Sequence, residues 1–288
     1  MKSILFSTLI LLLATACTTP QKKDSEKAIQ TQFQQKDKDI LEQILTELSE
    51  ERDASISELM IKVGAFFIGT PYVAHTLETD KEQLVINFRE LDCTTFGENC
   101  LAISRTIKSG KSSFEQFATE LQRIRYHNGK IDGYTSRIHY FSDWIFEKDQ
   151  QKIIESISKK IAETPYSNHV HFMSTHPESY AQLKNNSELV EVIARQEKTI
   201  SEREYYYIPE DKIAELEDKL LDGDIVGITT KIKGIGISHV GVLVRKDGRI
   251  HLMHASSSAK KVVVSEKTLE GYLLNSKSAT GIMVARPL

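Results

Sequence analysis

The sequence changes character near Asp222, and this change constrains the fold most strongly. Before it, apolar residues recur at helical spacing over residues 40–68 and 114–125, and residues 145–220 are predicted to be mostly helical. After it, short β-branched segments alternate with glycine-containing turns: "DGDIVGITT", "SHVGVLVR", "RIHLMHASS", "KVVVSE" and "GIMVARPL". Helices followed by consecutive strands predict an α+β fold with an antiparallel sheet, not an alternating α/β fold.

The N-terminal segment "MKSILFSTLILLLATAC" combines one lysine, an apolar run and small residues before Cys17. This pattern predicts a lipoprotein signal peptide over residues 1–16, with Cys17 lipidated; an ordinary signal peptide with an incidental cysteine is the alternative. Residues 17–39 are polar and are predicted to be a flexible tether. We therefore expect a lipid-anchored protein of the cell envelope, facing the periplasm or the surface, with one folded domain over residues 40–288.

The composition is that of a globular protein, with 40% hydrophobic and 27% charged residues. A net charge of −3 gives no basic footprint for nucleic acid, so no nucleic-acid partner is expected.

Two cysteines lie on one predicted helix in the stretch "RELDCTTFGENCLAI". Cys93 and Cys100 share its apolar face, about 10 Å apart along the axis, which is too far for a disulfide. Asp92 is a good N-cap, so Cys93 falls in the first turn, where free N–H groups and the helix dipole favour a thiolate. Cys100 lies two turns further in and is predicted to be a core residue.

The stretch "ISHVGVLVRKDGRIHLMHASS" predicts a β-hairpin, because Asp247-Gly248 is a strong two-residue turn signal. With that turn, His239 and His254 are diagonal neighbours on one face, and Gly241 is expected to clear the space between them. His251 is assigned to the opposite face. A thiolate nucleophile needs a base and a group that orients the base, and this pair could supply both.

A cysteine that opens a helix, followed much later by histidines on two adjacent strands, resembles the NlpC-type papain-like cysteine hydrolases. The fuller set is similar to one branch, the N-acetylmuramoyl-L-alanine amidase-like family, over roughly residues 55–288. The stretches that carry the resemblance are "GTPYVAHTLE", "ELDCTTFGEN", "SRIHYFSDWI", "HFMSTHPESY", "LLDGDIVGI", "ISHVGVLV" and "HLMHASS". One departure is Gly97, which follows "TTF" where an apolar residue is expected.

The resemblance implies a papain-like fold in which the nucleophile helix packs on an antiparallel sheet, with a largely helical insertion around residues 145–220 of the catalytic domain. It also implies cleavage of the lactyl–L-Ala amide of muropeptides, including those ending in anhydro-muramic acid. Peptidoglycan fragments are then the partners, and no cofactor or metal is expected. The implied roles are Cys93 as nucleophile, His239 as base and acid, His254 as its orienting partner, Tyr72 at the oxyanion, and Arg137, Tyr140, Asp143, Trp144 and His176 at the substrate.

Three alternatives stay open at this point. A hydrolase of the same fold could cut the γ-D-glutamyl bond within the stem peptide, since only the pocket would differ. A zinc amidase could use His169, His171 and His176, which form an H-x-H-x4-H cluster. A muropeptide-binding lipoprotein without activity is the third, although such a protein would tend to lose the cysteine or a histidine.

Overall fold

The computed structural model describes residues 31–288, so the predicted signal peptide and Cys17 lie outside the described residues. The tether prediction is wrong for residues 31–39. Strand β1 (Thr31–Gln32) pairs in parallel with β2 (Leu84–Val85), and helix α1 (Gln35–Glu47) follows. Buried Asp37 explains the difference: it caps the start of α1 and accepts hydrogen bonds from the Phe88 amide and the Arg89 side chain. Although the segment is polar, its Asp37 forms an ion pair with Arg89 that anchors the start of α1.

The first half of the described chain is helical, as predicted. Helix α1 is followed by α2 (Ile56–Phe66), α3 (Cys93–Ser109), α4 (Phe114–Arg125) and α5 (Phe141–Gln150). Helix α3 contacts α2, α4 and the main sheet, and most of its residues are buried. The helix that carries both cysteines is therefore a central element of the core.

Residues 145–220 contain both helices and strands, so the prediction of a largely helical segment holds only in part. After α5 come β3 (Ile154–Ser156), α6 (Ser158–Ile161), β4 (Thr164–Tyr166), α7 (Phe172–Thr175), α8 (Ser187–Ser201), β5 (Tyr205–Pro209) and α9 (Ile213–Leu216). The three strands join the main sheet. The run "YYYIP" forms β5 because aromatic and β-branched residues suit a pleated surface.

The C-terminal part supplies most of the sheet, with β6 (Ile225–Thr230), β7 (Ile237–Lys246), β8 (Arg249–Ser256), β9 (Lys261–Thr268), helix α10 (Leu269–Leu274) and β10 (Ala279–Pro287). The strand order is β4-β5-β10-β6-β7-β8-β9, with β3 also on β10. All pairs in this sheet are antiparallel. The predicted α+β class with an antiparallel sheet is confirmed.

Two hydrophobic clusters hold the layers together. One joins α2, α3 and α4 to the sheet and contains Val240, Val242 and Met253. The other contains Leu243 and Leu252 with α10. The hairpin β7–β8 is thus buried on both faces and cannot slip in register without exposing one cluster. Within residues 31–288, no helix is long and apolar enough to cross a membrane.

Candidate active site

Cys93 is the first residue of α3, as the sequence predicts. Asp92 is the N-cap: its carboxylate accepts the Thr95 amide at 2.8 Å, and Thr95 Oγ1 accepts the Asp92 amide at 2.9 Å. This capping box fixes where the helix begins, and it therefore fixes the position of the thiol. Cys93 is partly exposed, whereas Cys100 is fully buried in the core, and neither forms a disulfide.

Burial opposes the thiolate that the start of the helix is expected to favour. Burial raises the pKa of Cys93 to about 12, and the neighbouring Asp92 carboxylate adds to this effect. Hydrogen bonds from the Val240 and Thr94 backbones lower the pKa but do not offset burial. The helix dipole is opposed here by the charge of the N-cap itself, so a nucleophilic role of Cys93 would require a base to remove the thiol proton.

The hairpin register is confirmed. Val242 pairs with Met253 and Lys246 with Arg249, and His239 Nε2 lies 2.6 Å from His254 Nδ1. The two imidazoles meet edge to face, with ring centroids 4.8 Å apart.

The role expected of Gly241 is wrong, because a Cβ there would strike Leu252 Cδ1 at 2.5 Å. Leu252, not open space, therefore explains this glycine. His251 pairs with Val244 and donates through Nδ1 to the Ser265 carbonyl, so it is left out of the histidine pair as predicted.

Both paired imidazoles are uncharged. Burial lowers the pKa of His239, and the neighbouring His254 lowers it further. Burial also lowers the pKa of His254. An uncharged His239 can act as a base at neutral pH.

Two tyrosines lie near the thiol. Burial raises the pKa of Tyr72, with Cys93 and Asp92 as the next causes, and the Tyr72 amide donates to the Lys260 carbonyl. Tyr272 on α10 lies edge-on to His254 at 5.3 Å, and its pKa is also raised by burial and by Cys93. No sequence pattern singled out Tyr272, since α10 is short and far along the chain.

A cavity of about 260 Å³ opens beside Cys93. Its lining joins helix α3, the start of β7 and the segment before α5, and it includes Tyr140 and Trp144 from the predicted substrate set. The full lining is Cys93, Thr94, Ile138, His139, Tyr140, Phe141, Trp144, Phe172, Met173, Tyr180, Ile235, Ile237, Ser238, His239 and Val240. Cys93 and His239 thus face one space, which apolar and aromatic side chains dominate.

Trp144 and Tyr140 differ in the polar atoms they offer to this cavity. Trp144 is 1% exposed, stacks on Phe141, and its Nε1 has no hydrogen-bond partner in the described chain. The Tyr140 hydroxyl donates to Glu197 at 2.6 Å and accepts the Met173 amide at 3.0 Å. Of these two side chains, only Trp144 has a polar atom without a partner in the described chain.

The other predicted substrate residues are not part of the lining. Arg137 is buried and forms ion pairs with Glu78 at 2.9 Å and Glu82 at 3.4 Å. Asp143 accepts from His127 and Arg203, which lowers its pKa although burial acts in the opposite direction. Both side chains therefore form ion pairs within the protein that stabilise its structure.

His176 is exposed and stacks on Phe172. It also bonds through Nδ1 to the Phe172 carbonyl at 3.1 Å, and Phe172 belongs to the lining whereas His176 does not.

The histidine cluster His169, His171 and His176 does not converge on one point in the described chain. The set that comes closest to a metal geometry there is His127, Asp143 and Glu147. His127 bonds to the Ser136 carbonyl and the Asp143 carboxylate. Because both acceptors require an N–H, the ring is cationic, and hydrogen bonding to Asp143 raises its pKa although burial opposes this. This chemistry fits an ion pair and not a ligand set.

The chain belongs to the N-acetylmuramoyl-L-alanine amidase-like family, whose family model matches residues 62–282. A solved N-acetylmuramoyl-L-alanine amidase from Bacteroides uniformis is 40% identical with a TM-score of 0.78, over 81% of this chain and 98% of that one. A Bacteroides fragilis structure bearing the name of a candidate xylanase is 44% identical with a TM-score of 0.73, over 78% and 99%. A Legionella pneumophila protein at 20% identity shares the fold, with a TM-score of 0.66. A search of curated proteins finds no match.

Proposed function

We propose that this protein is a cysteine amidase of the NlpC-type papain-like class that cleaves the lactyl–L-Ala amide of muropeptides. The observation that carries the proposal is the joint placement of Cys93 and His239 on one cavity, with His254 bonded to His239, in a chain of the amidase-like family. Peptidoglycan fragments are the substrates, and a lipid on Cys17 would hold the enzyme at the cell envelope.

The hydrogen bond between the two histidines indicates which ring nitrogen of His239 can act as the base. His239 Nε2 is occupied by His254 Nδ1, so His239 Nδ1 is the nitrogen left to take a proton. In the uncharged pair, Nε2–H of His239 donates to His254, which carries its own proton on Nε2. When His239 gains a second proton, the bond to His254 is kept, and the ring stays oriented through the reaction.

The reaction then proceeds in two halves. The thiol proton passes to His239 as Sγ of Cys93 attacks the lactyl carbonyl, and the tetrahedral oxyanion forms. The Cys93 amide at the first helical position and the Tyr72 hydroxyl are the proposed donors to that oxyanion. His239 returns the proton to the leaving L-Ala nitrogen, and a thioester remains on Cys93. Water then attacks the thioester as His239 takes its proton; the C–S bond breaks, the lactyl acid leaves, and His239 returns the proton to the Cys93 sulfur.

Glycoside hydrolysis, suggested by the xylanase name of one relative, fits this cavity poorly. Such enzymes usually use two carboxylates that flank the bond, whereas no Asp or Glu of residues 31–288 lines this space.

The test is product analysis by mass spectrometry on a defined anhydro-muropeptide, with the Cys93→Ala variant as control. Release of an intact stem peptide from the sugar, absent with the variant, is the expected result. Release of L-Ala-D-Glu would mean a γ-D-glutamyl endopeptidase of the same fold. Binding without turnover would mean a muropeptide-binding lipoprotein, and loss of activity with EDTA but not iodoacetamide would mean a metal enzyme.

A further inference from the structure

His139 lies on the cavity wall with Cys93 and His239, and no step of the proposed chemistry uses it. It sits between a single 3-10 turn (Tyr134–Ser136) and α5. Its Nε2 lies 3.0 Å from the Tyr134 carbonyl oxygen, and its ring contacts the Tyr134 ring at 4.4 Å. The ring is therefore held in one orientation by a hydrogen bond and an aromatic contact.

The carbonyl fixes the tautomer of His139. A carbonyl oxygen only accepts, so Nε2 must carry the proton. Burial, with Arg137 as the second cause, lowers the pKa of His139 to about 3, so the ring holds no second proton at neutral pH. Nδ1 is then a lone-pair acceptor, and no group of residues 31–288 donates to it. His127, only twelve residues away in sequence, is the opposite case: both its nitrogens donate and it is cationic.

We propose that His139 Nδ1 accepts a hydrogen bond from an uncharged N–H of the muropeptide, which makes His139 a specificity-determining residue. The proposal rests on the proposed function and deepens it. The Trp144 indole N–H, a donor without a hydrogen-bond partner among residues 31–288, lies on the same wall. An acceptor and a donor on one wall suit a secondary amide, which offers one N–H and one C=O. A carboxylate would meet the Nδ1 lone pair and be disfavoured.

Besides the scissile lactyl–L-Ala amide, muropeptides carry secondary amides of two kinds, the acetamido group of the sugar and the peptide bonds of the stem. Both present the same chemistry to His139. The choice between them is left to substrate analogues, described below.

Two substitutions separate the two nitrogens of the ring. In His139→Gln, the longer side chain can place its NH₂ where Nε2 was and keep the bond to the Tyr134 carbonyl, but the acceptor at Nδ1 is lost. In His139→Asn, the shorter side chain can place its oxygen where Nδ1 was, but it gives up the bond to Tyr134. A structural role depends on the first position and a substrate role on the second.

We expect His139→Gln to keep its melting temperature while KM rises about 5- to 30-fold with little change in kcat. This is the pattern for loss of one hydrogen bond that is equally strong in the ground state and the transition state. We expect His139→Asn to melt earlier but to recover most of the wild-type KM. A wild-type KM in His139→Gln would overturn the proposal. So would a KM that follows the melting temperature across both variants.

Two substrate analogues identify the amide. In one, the sugar acetamido group is replaced by an acetyl ester; in the other, a stem-peptide nitrogen remote from the scissile bond is methylated. The analogue that removes the relevant N–H should raise the wild-type KM by the same factor and leave His139→Gln unchanged. If neither analogue reduces the difference between wild type and His139→Gln, the inference is wrong.

Failure of the proposed function gives a different result. In that case wild-type protein turns over no muropeptide at all. Calorimetric titration of the unmodified muropeptide into Cys93→Ala, with and without His139→Gln, still tests the contact: an equal Kd for the two proteins would reject it.

Discussion

The two walls of the cavity use their polar side chains in different ways. On the wall formed by α3 and the β7–β8 hairpin, His239 and His254 bond to each other, and the thiol of Cys93 remains partly exposed. On the wall before and within α5, the Tyr140 hydroxyl is taken up by other protein groups, as is the carboxylate of Asp143, a residue of α5 that does not line the cavity. On the first wall the thiol and the histidine pair therefore remain accessible from the cavity. On the second wall most polar atoms form hydrogen bonds within the protein that stabilise the local structure.

This difference shows why residue type alone is a poor guide to substrate contact. Arg137 and Asp143 have the chemistry expected for binding carboxylates and sugars, yet ion pairs occupy both. Trp144 and His139 on the same wall each have a nitrogen without a hydrogen-bond partner among residues 31–288. A polar atom that lines the cavity and has no protein partner is therefore a better sign of substrate contact than a charged residue near the cavity.

The largest expected effect is on the first wall. Cys93→Ala should lower kcat by about 10⁴-fold or more, because the nucleophile cannot be replaced, while thermal unfolding stays close to wild type. Cys100→Ala is the matched control on the same helix face; it should cost about 1 kcal/mol of stability and little activity, since it only removes buried volume. Near-wild-type turnover by Cys93→Ala would refute the nucleophile assignment.

The first wall could be predicted well from sequence because local rules fix it. The Asp92 cap sets the start of α3, and the Asp247-Gly248 turn sets the register that joins His239 to His254. The second wall could not, because its contacts are long-range: the Tyr140 hydroxyl donates to Glu197, 57 positions further along the chain. For the same reason the sequence did not indicate the role of Asp37, because its hydrogen-bond partners Phe88 and Arg89 lie more than 50 residues away.

The second prediction tests whether Asp143 of α5 supports the structure and does not contact the substrate. Asp143→Ala leaves cationic His127 and Arg203 without their shared carboxylate, so we expect about 2–3 kcal/mol lower stability in urea unfolding. Once folded, the variant should show kcat/KM within about threefold of wild type, since Asp143 does not line the cavity. Glu147→Ala, beside His127 but not bonded to it, is the control. A raised KM at unchanged stability would instead place Asp143 at the substrate.

The third prediction concerns pH and the histidine pair. Because burial depresses the pKa of His239, the uncharged base should persist well below the ordinary histidine value of about 6.5. We therefore expect kcat/KM to stay nearly constant from about pH 7 to 5. Since the folded pKa is depressed, the stabilising contribution of this pair is present above about pH 6.5 and is lost as pH falls.

The control for the pH profile is His254→Ala, which removes the second cause of the depressed pKa of His239. In this variant the acid limb of kcat/KM should move up towards pH 6.5. An acid limb near 6.5 already in the wild type would contradict the uncharged pair.

The smallest expected effect concerns Gly97, which lies within the first wall where α3 packs against β7. A Cβ at Gly97 would lie 3.5 Å from Val240 Cγ1, an ordinary contact, so nothing in the structure requires glycine there. Gly97→Ala should therefore stabilise the protein by about 0.5–1 kcal/mol through helix propensity, with activity retained. Gly64→Ala is the matched test in α2: its Cβ would lie 2.7 Å from Met253 Sδ, so it should destabilise. If Gly97→Ala also destabilised or lowered kcat, α3 and β7 would have to approach more closely during turnover than they do at rest.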